Sequence, residues 1–131
     1  TATVFATDGV TTFSTLAVSG TIGTYDLSLV STGLLPATVS ITITHGAANS
    51  IDFSTPASTR NALTSSQVVA KILDRDGNLV TTGNQSTQSI ALSISDAVLS
   101  GTVNLNAVGG IATFSNVVAT GLVGNKTISA A

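Results

Sequence analysis

Short segments in which apolar and hydroxyl side chains alternate follow one another along almost the whole chain. In Ala37–Thr44, Val39, Ile41 and Ile43 fall on one side of an extended backbone, and Ser40, Thr42 and Thr44 fall on the other. Such a two-residue period gives a strand one face for a core and one for water. Tyr25–Val30 and Ser89–Ser95 repeat the pattern, whereas Val68–Leu73 is more continuously apolar, as expected of a strand in the middle of a sheet. Further strands are predicted at Thr1–Ala6, Val10–Leu16, Ser50–Phe53, Leu79–Thr81, Thr102–Asn106, Ile111–Val117 and Gly124–Ala130. Gly, Asn and Asp cluster between them, at Thr7-Asp8-Gly9, Asp76-Gly77-Asn78, Gly83-Asn84 and Val108-Gly109-Gly110 among others. No segment carries a convincing helical period. Many short strands at this spacing predict an antiparallel β-sandwich, its cores built from Val39, Ile41 and Ile43 with Phe13, Phe53 and Phe114.

The strand pattern repeats itself. Residues 102–131 match residues 1–30 without a gap at an offset of 101 residues: Gly9 falls on Gly110, Thr12-Phe13-Ser14 on Thr113-Phe114-Ser115, Gly20 on Gly121, and Ser28 on Ser129. A period of that length matches a small domain rather than a solenoid turn. The phase of the match then divides the chain. Residues 1–45 read as the C-terminal strands of one unit, and residues 46–131 as a following unit lacking its closing strand, because the counterpart of Ala37–Thr44 would fall beyond Ala131. The link from His45 to about Ser50 reaches only ~20 Å at ~3.3–3.6 Å per residue, so Ala37–Thr44 is not expected to fold back into the gap. The expectation is that an equivalent strand comes from a following segment of a longer protein or from a neighbouring molecule. The absence of Met, even at position 1, fits a chain that has lost a leader or is an excerpt.

Composition narrows the range of functions. Ser and Thr supply 39 residues, only 8% of the chain is charged, and the acidic residues are six aspartates with no glutamate. A net charge of −2 with four basic residues leaves no patch for nucleic acid or anionic lipid. The mean hydropathy of +0.51 is spread through strands, and no run approaches the ~18 apolar residues of a spanning helix, so membrane insertion is not expected. There is no cysteine, hence neither disulfides nor thiolate chemistry.

The run Val68–Val80, ending in Asp74-Arg-Asp-Gly-Asn78, is followed later by Gly110-Ile-Ala-Thr-Phe-Ser-Asn116. In order and spacing these segments resemble the bacterial immunoglobulin-like (Big-type) tandem repeats of large secreted and cell-surface proteins, and Asp8–Ser14 is a second instance of the later strand. The resemblance implies an immunoglobulin-like sandwich and an extracellular stalk, adhesin or surface-layer element without catalysis.

Several residues invite a sharper chemistry. Asp74, Asp76 and Asn78 place oxygen ligands at alternate positions, as a calcium loop does, but the closing acidic residue is missing and a hairpin turn explains the same residues. His45 is the single histidine, beside a turn, and reads as a solvated linker residue rather than a general base. Lys71, in an otherwise apolar strand, raises an isopeptide bond with Asp96 or Asp52 as the assisting acid, against a plain reading as an outer-face lysine. Asn84-Gln-Ser86 and Asn125-Lys-Thr127 are N-glycosylation acceptor patterns at turns. No catalytic, cofactor-binding or metal residues are assigned, and no enzyme activity is expected. Two functions fit: a structural repeat of an extracellular or cell-surface protein, or a filament subunit that polymerises by β-strand donation. In both, the partners are adjacent units or identical subunits, joined through strand pairing.

Overall fold

The computed structural model describes residues 2–54 and 65–131 and is antiparallel β throughout, apart from one 3-10 turn at Asn84–Thr87. The described residues form nine strands: β1 (Gly23–Leu29), β2 (Ala37–Ile43), β3 (Ala48–Phe53), β4 (Ser66–Asp74), β5 (Ser89–Ile94), β6 (Val98–Ser100), β7 (Asn104–Asn106), β8 (Ile111–Thr120) and β9 (Ile128–Ala130). The chain divides into two compact units, Thr1–Ile43 and Thr44–Ala131. The second unit so divided includes His45.

The second unit is a β-sandwich. One sheet has the order β3-β4-β8-β6 and the other β7-β5-β9. Alternation builds the core between them. Val68, Ala70 and Ile72 of β4, Ile90 and Leu92 of β5, and Ala112, Phe114 and Val117 of β8 are buried, together with Val80 and Ala107. Strand β4 is therefore central, as its apolar run predicts, but it alternates in burial, with Val69, Lys71 and Leu73 half-buried on the outer face.

The step from Phe114 to Val117 breaks the two-residue period of β8. Val68 pairs with Phe114 while Ser66 pairs with Val117, so β8 carries one extra residue. Asn116 takes it up with φ of 58°, a left-handed conformation that Asn tolerates better than most residues. Without this bulge, Asn116 would point inward in place of Val117.

The first unit is built differently. Strands β1 and β2 form a two-stranded sheet in continuous register, Gly23 opposite Ile43 through Leu29 opposite Ala37. Ser40 donates to Asp26 (2.6 Å) and the Tyr25 hydroxyl to the Thr21 carbonyl (2.9 Å). No described residue from Ala2 to Ile43 is buried. The expected core residues Val39, Ile41, Ile43 and Phe13 are thus half-buried or exposed, Phe53 is only partly buried, and Phe114 alone of that set is fully buried.

Several predicted strands change in the structure. Thr1 lies outside the described residues, Ala2–Ala6 is not a strand, and Val10–Leu16 is not one either. Leu79 makes only an isolated bridge to Leu73, Thr102–Asn106 shortens to β7, and Gly124–Ala130 shortens to β9. The short β6 was not predicted: Val98-Leu99-Ser100 is too brief to show a period, and its strand character comes from pairing with β8. The turn predictions fare better. Thr7 and Val10 exchange two backbone hydrogen bonds (2.9 and 3.0 Å) around Asp8 and Gly9, both at positive φ. The aligned Val108 and Ile111 do the same (2.8 and 3.2 Å) around Gly109 and Gly110. This is the two-residue hairpin turn that Asp-Gly and Gly-Gly favour.

Candidate functional site

Two regions of the second unit gather polar groups or unfilled space. The first is the Asp74 turn. Asp74 ends β4 with its carboxylate buried, and that carboxylate accepts from the amides of Gly46 (2.8 Å), Asp76 (2.9 Å) and Asn78 (2.8 Å) and from Asn78 Nδ2 (3.1 Å). Hydrogen bonding to the charged form, led by the Gly46 amide, lowers its pKa from the usual 3.8 to about 2, against an opposing contribution from burial. The backbone closes the same loop, the Asp74 amide donating to the Asn78 carbonyl (2.9 Å) and Gly77 sitting at φ of 82°. Both carboxylate oxygens are thus occupied by N–H donors. This geometry is that of a turn that ties the start of the unit to a hairpin, and among the described residues no cluster of three His, Cys, Asp or Glu side chains stands ready for a metal.

His45 adds a second tie. Its Nε2 accepts from the Thr82 amide (3.2 Å) and lies 2.8 Å from Thr82 Oγ1, while Nδ1 lies 3.0 Å from the Gly46 carbonyl. Accepting at Nε2 puts the proton on Nδ1, which donates to Gly46. The residue is half-buried and clasped rather than a solvated linker, a correction that spacing alone did not signal because Thr82 is 37 positions away. Lys71 stands opposite Asp52 on β3 and Ile111 on β8, on the outer face of the sheet. Asn84 opens the 3-10 turn and Asn125 precedes β9, and both are exposed.

The second region is the outer edge of β9. Ser93 pairs with Ser129, Ala131 exchanges hydrogen bonds with Ala91 (2.8 and 3.0 Å), and the Thr127 carbonyl accepts from Ser95 (3.0 Å). Residues 127, 129 and 131 therefore direct their peptide groups towards β5, and the alternation of an antiparallel ladder turns those of Ile128 and Ala130 to the other side. No described strand pairs on that side. Ile128 and Ala130 pack against the core yet are only half-buried. Beside Ala130 opens a cleft of about 360 Å³, lined on its other flank by Ala48, Ser50 and Ile51 of β3, with Ile72 and Gln88 between. Among the described residues, none covers this side of the sandwich, between the β3 edge of one sheet and the β9 edge of the other.

No protein-family model matches the chain, and neither a curated protein nor a solved structure matches it.

Proposed function

We propose that this chain is a non-catalytic structural element of an extracellular or cell-surface array, a stalk, adhesin or surface-layer component. In this reading its immunoglobulin-like units follow one another and complete one another by strand pairing. The observation that carries it is the complementarity of the two units. The second offers a sheet edge with a half-covered apolar flank, and the first offers a β2 strand, beside the counterpart of β9, whose apolar residues have no core. The 101-residue self-match, the two-residue turns of the same kind at 7–10 and 108–111, and the resemblance to Big-type repeats support the same reading. The hydroxyl-rich surface, nearly free of charge, suits an extended spacer more than a binding module. Aromatic platforms for sugars are thin, with a single tyrosine and no tryptophan.

The decisive experiment lengthens the chain by placing a second copy of residues 31–43 directly after Ala131, in the phase that the offset dictates. The added strand should pair with β9 and raise the thermal midpoint of the second unit, by about 4–8 °C for each kcal/mol gained. An unchanged midpoint, with the added residues exchanging amide protons as an unfolded tail, would remove the basis of the array reading.

A further inference from the structure

We propose that the outer edge of β9 accepts the β2 strand of a second copy of this chain, with Ala37 opposite Ala130, Thr38 opposite Ser129 and Val39 opposite Ile128. The inference rests on the array reading and names the partner and its register.

The register comes from the sequence offset and the β1–β2 ladder together. Leu27, Ser28 and Leu29 of β1 align with Ile128, Ser129 and Ala130, and they pair with Val39, Thr38 and Ala37. Transferring those pairs to β9 leaves the same strand opposite, continued by Ser40 at Thr127 and Ile41 at Lys126. A second observation tests that register independently. Directly opposed residues in an antiparallel pair point to the same face, and Ile128 and Ala130 face the core. Ala37, Val39 and Ile41 would then face the core too, flanking the cleft by Ala130, while Thr38 and Ser40 would face water. A slip of one residue would reverse every side chain and bury the hydroxyls.

Burial of apolar surface favours exchange and acts against the loss of the seven-pair β1–β2 ladder. In its own copy β2 belongs to a two-stranded sheet with Val39 half exposed, and a hairpin of two strands is marginal in water. On β9 the same strand gains an apolar flank while satisfying the outward peptide groups of Ile128 and Ala130. Ala37–Ile43 carries no charge to desolvate. β9 is no longer than the other short edges β6 and β7, but it alone is the counterpart of β1 and so inherits a register for β2, and the β3 edge carries a register shift between Ala48 and Ser50.

The full-length chain has no cysteine, which permits a direct test. Full-length Ser129→Cys and Thr38→Cys chains, mixed and oxidised, should give a disulfide-linked dimer. The pair would be non-hydrogen-bonded, with Cα atoms about 4.5 Å apart and within disulfide reach. Ser40→Cys on the same face, two residues out of register, should cross-link at least tenfold less. A synthetic peptide of residues 35–45, added to the unmodified chain, should slow amide exchange at Ile128 and Ala130 by tenfold or more at saturation. Equal cross-linking by the Thr38→Cys and Ser40→Cys chains, or peptide protection on β3, β6 or β7 instead, would overturn the proposal. The lengthened chain separates the two ideas. If the appended strand stabilises the unit but neither peptide nor second copy engages β9, donation between copies fails and the covalent array stands. If the appended strand also has no effect, both fall.

Discussion

The carboxylate of Asp74 meets four N–H donors across 32 residues of chain, and only its charged form satisfies them all. Its folded pKa, about 2, lies below its ordinary 3.8, so the unfolded state binds the proton more readily. The stability it contributes is complete above about pH 4 and is lost as pH falls from there towards 2. Urea midpoints measured across that window should fall for the wild type and converge on those of Asp74→Asn, which cannot carry the charge. Parallel curves for the two proteins would show that the carboxylate's charge plays no part. The pattern Asp-Arg-Asp-Gly-Asn announced a turn, and it is one. The involvement of Gly46 was not legible, because that amide arrives from a segment 28 residues upstream. His45 and Thr82 were hidden for the same reason.

At the scale of elements, the most instructive comparison is internal. Val10–Ser19 and Ile111–Thr120 share the Thr-Phe-Ser motif and the same preceding turn, yet the second is a ten-residue strand and the first is not a strand. The difference is partnership: β8 lies between β4 and β6, and the described residues of the first unit contain no counterpart of either. Phe114 is accordingly fully buried and Phe13 is not. Phe114→Ala should cost about 3–5 kcal/mol in chemical denaturation, the usual penalty for emptying a core aromatic site, whereas Phe13→Ala should cost under about 1 kcal/mol. Similar losses at both positions would mean that residues 10–19 are packed in solution as β8 is. Turns behave oppositely, since the two-residue loops at 8–9 and 109–110 form in both settings. Their conformation is set by glycine and aspartate within the loop. At Gly110 the tertiary setting adds a further constraint, because a Cβ there would lie 2.3 Å from the Val80 carbonyl oxygen.

At the scale of the whole molecule, burial among the described residues is confined to the second unit, and so is the expected resistance to opening. Hydrogen exchange of the intact chain should show amides of β4, β5 and β8 protected close to the level of global unfolding. Those of residues 2–20 should exchange near the rate of a random chain, with β1 and β2 between. Uniform protection across residues 2–43 would require a core for the first unit that its described residues do not form.

The sequence by itself determined the β class, the places of most turns, the 101-residue self-match and the alternation of β5, because alternation and glycine-bearing loops act over a few residues. Tertiary structure decided which alternating segments became strands, where β8 bulges to exchange Asn116 for Val117, how Asp74 and His45 are held, and which sheet edge lies bare. Those outcomes depend on which backbone groups and apolar faces find partners far away in the chain, and a strand's pattern states what it needs without stating whether it is met.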